Sequence, residues 1–240
     1  MPPMESLRAP LAILLLALAV GVHAQVSGTL RMDSDRRVRG VSLSDRRPAA
    51  ELTLNDDFSI DEARAGFAGL FVSSARFAAE DTDRVEASAY GGASTRMGPV
   101  SVDAGVQGIT FTGARSYAYS EAFLGLTGRR EGIRFFYSAD YFHRHAHTLY
   151  TQAFAQQSLG PRWTAFLQAG ALDILAADHP LNGARLQLDS RIGVSLREGR
   201  YGAQLSWVSI YRGVRAYPYG ALGDEGPERH ALVLQAEVRF

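Results

Sequence analysis

The sequence has no cysteine and no lysine. The first absence removes disulfides, zinc–cysteine sites and thiol nucleophiles, leaving oxygen and imidazole as the metal-ligating groups. The second makes all 25 basic residues arginines, and 25 acidic residues balance them. A formal charge of zero provides no basic field for a phosphate backbone, so nucleic acid is excluded as a partner. Long apolar runs are also missing, save one at the N-terminus, so 46% apolar residues do not make a helical membrane protein.

That one run follows Arg8 and covers Leu11 to Val20, before Gly21, Val22, His23 and Ala24. A basic residue, an apolar core of about ten residues and small residues at Val22 and Ala24 read as an export signal cleaved after Ala24. A membrane anchor in its place would need an apolar run nearer ~20 residues. The expected organisation is therefore a signal over 1–24 and one domain over 25–240, with no repeat or internal boundary.

Along the mature chain the hydrophobic period is two almost throughout. Leu232, Leu234, Ala236, Val238 and Phe240 alternate with Val233, Gln235, Glu237 and Arg239, and Leu186, Leu188, Ile192 and Val194 alternate with Arg185, Gln187, Asp189 and Arg191. The same dyad predicts about twelve strands, near 26–34, 48–55, 65–73, 84–92, 99–109, 119–127, 132–141, 148–157, 163–171, 185–194, 201–207 and 232–240. Each is about nine to eleven residues, the span of a tilted strand across a bilayer. Short connections (55–62, 94–98, 128–132, 158–162, 198–200) alternate with longer polar ones (35–47, 75–83, 112–118, 142–147, 172–183, 211–230). The fold class expected is all-β: a single antiparallel up-and-down barrel with short periplasmic turns and long external loops.

A soluble sandwich or lipocalin shares the alternation but buries the apolar face. The inverted arrangement is favoured by the export signal, the short–long alternation and the C-terminal aromatic. Phe240 closes its strand as outer-membrane barrels do for recognition by their assembly machinery. Trp163, Tyr201 and Phe240 then read as one interfacial girdle, and Tyr141, Tyr150 and Tyr211 as the other. The expected location is the outer membrane of a Gram-negative bacterium.

Arg39, Gly40, Val41, Ser42, Leu43, Ser44 and Asp45, followed by Pro48, Ala49 and Ala50, resemble the first loop of the proteobacterial TorF-type porins, R-G-x-S-x-S-D-x-x-P-A. Shorter stretches at Gly66–Leu70, Glu121–Leu126 and Tyr137–Phe142 are similar to that family as well. The resemblance implies an outer-membrane channel of uncharacterised substrate. The 211–230 segment and an H-x-H-x-H loop depart from the family's pattern.

With the apolar face on lipid, the alternate positions face the lumen. Glu51, Glu86, Asp103 and Glu121 fall on one arc, and Arg134, Arg185, Arg191 and Arg239 on the other, diluted by Asp140, Asp189 and Glu237. They either face one another across a constriction and orient small polar solutes in passage, or pair into a network that fills the lumen. Twelve strands lie between the packed interiors of eight-stranded barrels and the channels of sixteen, so size does not arbitrate.

His143, His145 and His147 would share one side of an extended segment and are weak candidates for zinc, copper or nickel. Ser138, five residues before His143, is the one candidate for an outer-membrane lipid hydrolase, without a G-x-S-x-G element or an orienting partner. Asp33, Asp35, Asp56, Asp57 and Asp61 lack EF-hand spacing and read as turn residues. Pro218, Gly220, Gly223 and Gly226 could cover the mouth as a lid. The function expected is a passive channel for small polar or charged solutes, with lipid and the assembly machinery as partners and no cofactor. The alternatives are a non-conducting structural or adhesive barrel and, behind it, the hydrolase.

Overall fold

The computed structural model describes residues 25–77, 82–177, 185–212 and 230–240. The expected export signal, residues 1–24, and the candidate lid with Pro218, Gly220, Gly223 and Gly226 lie outside the described residues. Among the described residues the strands are β1 (Gln25–Asp33), β2 (Arg37–Val38), β3 (Val41–Ser42), β4 (Ala49–Ser59), β5 (Arg64–Phe77), β6 (Thr82–Met97) and β7 (Val100–Phe111). They continue with β8 (Tyr119–Thr127), β9 (Glu131–Ser138), β10 (Ala146–Ser158), β11 (Trp163–Ala177), β12 (Leu186–Glu198), β13 (Tyr201–Arg212) and β14 (His230–Arg239).

All but β2 and β3 join one closed antiparallel barrel of twelve strands. β1 closes it, with Arg31 opposite Glu237 of β14 on one side and Glu51 of β4 on the other. Gly28 and Phe240 exchange both backbone hydrogen bonds, at 2.8 and 3.0 Å, so the last residue finishes the seam. Closure leaves no strand edge, which is the condition for a sheet to stand in hydrocarbon.

The two faces are sorted as the dyad requires. Leu167, Ile192, Leu205, Leu232 and Leu234 are exposed on the outside, Ile192 at 56% and Leu232 at 61%. Glu51, Glu86, Glu121, Asp189 and Gln235 are buried on the inside. This is the opposite of a lipocalin, where apolar side chains fill the interior and charge meets water.

Several strands outrun the expected lengths: β5 has 14 residues, β6 has 16 and β11 has 15. Parts of 75–83 and 172–183, expected as connections, are paired sheet, with Ala75 opposite Arg84 and Arg76 opposite Asp83. Polar residues stay in register there because sheet beyond an apolar band can be wet on both faces. The girdles need one correction too. Trp163, Tyr201, Phe240 and Tyr211 are exposed, whereas Tyr141 and Tyr150 are each 2% exposed. Those two point inward, and Tyr137 stands exposed at the long-loop end instead, with Trp207 on the outer face opposite Ile192.

Inside, rings lie flat across neighbouring strands where glycine leaves room. A Cβ on Gly105 of β7 would stand 2.6 Å from Phe123 Cζ and collide with the Gly91 carbonyl of β6. Gly105→Val is therefore expected to abolish folding, seen as loss of the heat-shifted gel mobility of a folded barrel. Ile192→Arg puts a charge in the middle of the outer apolar band. It is expected to cost about 2–4 kcal/mol in urea titrations of the protein folded into lipid vesicles; an unchanged midpoint would mean that this face does not meet hydrocarbon.

Candidate functional site: a hairpin locked inside the barrel

The connection from β1 to β4 does not project outward. Its two-residue strands β2 and β3 pair through Arg37 with Ser42 and Val38 with Val41. The turn between them is Arg39–Gly40, at φ 50° and 79°. Positive φ at both central residues is what a two-residue type I′ hairpin demands, and it matches the right-handed twist of the strands. Gly40 is fixed a second way, since a Cβ there would lie 2.5 Å from Ile210 Cγ1 of β13 and 3.0 Å from Asp189 Cβ of β12.

The hairpin's polar contacts run round the wall, which places it inside the barrel. Arg36 Nε donates to Glu51 Oε1 of β4 at 2.8 Å, and its Nη1 to Glu86 Oε2 of β6 at 2.9 Å. Arg39 Nη2 donates to both carboxylate oxygens of Glu121 on β8 at 2.7 Å, and Nη1 to the Tyr141 hydroxyl at 3.1 Å. The Arg39 guanidinium also stands 4.3 Å from the centre of the Tyr150 ring on β10. From β12, Gln187 Nε2 donates to the Arg39 carbonyl at 2.9 Å.

The rest of the motif holds the hairpin's shape. Asp35 accepts from Arg37 Nε and from Ser42 Oγ, each at 2.6 Å. Ser44 Oγ accepts from the Arg36 N–H and Ser42 Oγ from the Arg46 N–H, both at 3.0 Å. Asp45 lies 3.8 Å from both Arg47 and Arg76. Pro48, exposed, ends the loop where β4 begins, a position that needs no ladder donor. Val41 and Leu43 join a buried cluster with Phe111, Tyr141, Phe142 and Leu172. The long-loop half of the interior is thus packed around the hairpin.

The expected arcs of facing charge are reorganised by this loop. Glu51, Glu86 and Glu121 are met by Arg36 and Arg39, and Asp103 takes Arg134 Nη2 at 3.0 Å. Asp189 accepts from the Tyr150 hydroxyl at 3.2 Å. Arg191 faces inward near Asp33, Arg31, Glu51 and Asp189. Glu237 gathers three arginines at the short-turn end, Arg239 among them at 2.9 Å. Arg185 is exposed in the bend before β12 and is not brought to the others.

The histidine trio is not assembled. Phe142, His143 and His145 have φ of 58°, 50° and 50°, so the segment coils instead of extending. His143 Nδ1 lies 3.0 Å from Asp140 Oδ2, and His147 Nδ1 bonds the Tyr137 hydroxyl at 2.8 Å. Burial by itself would raise the Asp140 carboxyl, but the His143 bond and the His145 N–H hold it below the usual carboxylate range. No group of three metal-ligating residues occurs among the described residues. Ser138 is 1% exposed and its Oγ has no hydrogen-bond partner in the structure, so it is not paired with His143 as a hydrolase would need.

Sequence reasoning passed over Arg36, Gln187 and the inward role of Tyr141 and Tyr150. One signal pointed to the hairpin: Val41 and Leu43 alternate with serines in an otherwise polar connection, and a solvated loop has no use for such a pair. Breaking the Arg39–Glu121 pair by Arg39→Ala leaves a buried carboxylate uncompensated. The expected loss is about 3–5 kcal/mol in urea unfolding, with part restored in Arg39→Ala/Glu121→Gln; a double-variant loss equal to the sum of the Arg39→Ala and Glu121→Gln losses would show that the two groups are not coupled.

No curated protein matches the chain significantly in sequence. Among solved structures, the COG4313 outer membrane channel from Pseudomonas putida F1 is similar at a TM-score of 0.57 and 11% identity, over 92% of this chain and 96% of that one. The KdgM porin is similar at 0.52 and 9%, over 89% and 98%. At such identities the likeness is one of fold, the closed barrel. Residues 19–184, more than half of the sequence, match a family described as bacterial protein of unknown function, Gcw_chp, and the chain belongs to that family.

Proposed function

We propose that the protein is an outer-membrane channel for small polar or charged solutes, exported by residues 1–24 and held closed in its outer half by the β2–β3 hairpin. The observation that carries this reading is the sorted barrel. An apolar band covers the outside, and charged residues line an interior that is packed at the long-loop end but keeps a cavity of about 260 Å³ at the other. A barrel built only as a scaffold has no need of so much buried charge inside, since buried pairs are poor stabilisers compared with apolar packing. The start of β1 and the end of β14 lie at the short-turn end, the periplasmic side in such barrels. The fold likeness to a channel and a porin, and the first-loop resemblance to TorF-type porins, support the same reading. Phe240, 68% exposed at the seam, is the residue offered to the assembly machinery.

The packed cluster around Val41 and Leu43 also favours a second reading, a permanently plugged structural barrel. Planar-bilayer recording separates the two. The wild type is expected to give small or rare conductance steps, and Arg39→Ala/Glu121→Gln steps that are at least severalfold more frequent or larger. Silence from both proteins, each shown to be folded, would establish the plug.

A further inference from the structure

Below the hairpin, the cavity at the short-turn end is lined by Arg31, Arg197, Arg239, Glu237, Gln204 and Gln235, together with the Phe166 ring. Its charges are unequal. Arg239 Nη2 stands 2.9 Å from Glu237 Oε1, Arg197 Nη2 stands 3.2 Å from the same oxygen, and Arg31 Nη2 is 3.7 Å from Oε2. One carboxylate answers three guanidiniums. Among the described residues, further relief for this group comes from the bond from Arg31 to Glu51, at 3.2 Å, where Glu51 is already held by Arg36, and from the Asp33 carboxyl near Arg31. Nearby Glu198 is occupied with Arg162 at 2.7 Å.

Exposure is unequal in the same sense. The side chain of Glu237 is 16% exposed, whereas those of Arg31, Arg197 and Arg239 are 38%, 51% and 48%. The carboxylate sits behind its partners, and the guanidiniums face the space. Each guanidinium has five N–H donors in a planar fork, and Glu237 has too few oxygens to engage them all. Water fills such donors poorly compared with a second oxyanion, because the fork matches a carboxylate in a bidentate way. Gln204 and Gln235, hydrogen-bonded to each other, and Ser195 add polar groups to the wall, and Phe166 adds an apolar face. At about 260 Å³ the space is slightly under the ~300–1,000 Å³ of drug-sized ligand clefts, which suits a small solute.

We propose that this cavity is a binding site for a small carboxylate-bearing solute, and that it makes the periplasmic end of the lumen select anions. The transport part rests on the channel reading; binding does not. The probes are three four-carbon molecules of matched length: succinate, butane-1,4-diamine and butane-1,4-diol. In calorimetric titration of the folded protein in detergent, succinate is expected to bind and the other two are not. Arg197→Gln, at an exposed strand end, is expected to weaken succinate about tenfold, the loss of one charge-assisted contact. Glu237→Gln, which removes the competing carboxylate, is expected to tighten it. Folding of each variant is checked by heat-shifted gel mobility. Succinate binding no tighter than the diol, or unchanged by either substitution, overturns the site. In bilayers under a salt gradient, the wild type is expected to show an anion-selective reversal potential that Arg197→Gln moves towards cations; conductance without that selectivity overturns the transport part of the proposal. Succinate binding in a protein that never conducts supports the site and overturns the channel reading instead.

Discussion

Three carboxylates, Glu51, Glu86 and Glu121, stand buried on the inner wall of a closed sheet, and two guanidiniums on one loop answer them. A carboxylate taken out of water without a partner costs several kcal/mol, so in this structure the acids and the loop depend on one another. The barrel wall supplies acceptors at fixed heights on β4, β6 and β8, and the hairpin supplies Arg36, just before β2, and Arg39, three residues on in the tight turn itself. Everything in the long-loop half follows from that match. The Arg39–Gly40 turn needs its positive φ values to aim Arg39 at Glu121. Gly40 needs to lack a side chain because β12 and β13 already occupy the space. Tyr150 and Tyr141, turned inward, place their rings against the Arg39 guanidinium, where the contact gains more than it would in water.

The barrel itself was legible in the sequence, and for a physical reason. Side-chain period in a strand is two, so a sheet that meets lipid outside and polar groups inside writes its alternation directly into residue order. Leu232, Leu234 and Ala236 against Val233, Gln235 and Glu237 read correctly because nothing else competes for those positions. Turn length was equally readable. Glu198 and Arg197 before Gly199 have to reverse within two residues, while the stretch after Asp33 does not. Strand ends were less readable, since the sheet continues past the apolar band into polar sequence, as in Ala75–Phe77 opposite Thr82–Arg84. Hydrophobicity marks where lipid stops, and hydrogen bonding does not stop there.

The hairpin's position was not legible because a polar segment folded inward and one folded outward share a composition. Arg36 and Arg39 look like solvated loop residues until their partners, on strands 15 to 82 positions away, are known. The same distance in sequence hid the fate of Tyr150. Taken alone, a tyrosine near a strand end fits an interfacial girdle, and only the register of β10 against Phe136 of β9 and Leu172 of β11 turns it inward. The histidine loop failed differently. Its even spacing predicts a common face only if the backbone is extended, and left-handed residues at Phe142, His143 and His145 break that premise.

The two halves of the interior carry opposite latent charge, and on the channel reading the hairpin decides which of them a solute meets. With the hairpin seated, the three carboxylates are compensated and the long-loop half presents packed aromatic and aliphatic side chains. The uncompensated charge is then the arginine excess around Glu237, at the far end. Were the hairpin to leave altogether, Arg36 and Arg39 would go with it and the upper wall would become an acidic ring, repelling the anions proposed for the lower cavity. A smaller displacement, in which the loop slides along the wall while its guanidiniums keep their carboxylates, opens space without exposing that ring. A pathway consistent with the lower cavity therefore requires partial release of the hairpin. The bidentate Arg39–Glu121 contact, with the shortest distances of the loop's links to the acidic wall, is suited to be the pivot of that motion, because a fork gripping two oxygens resists separation more than it resists rotation of the segments it joins.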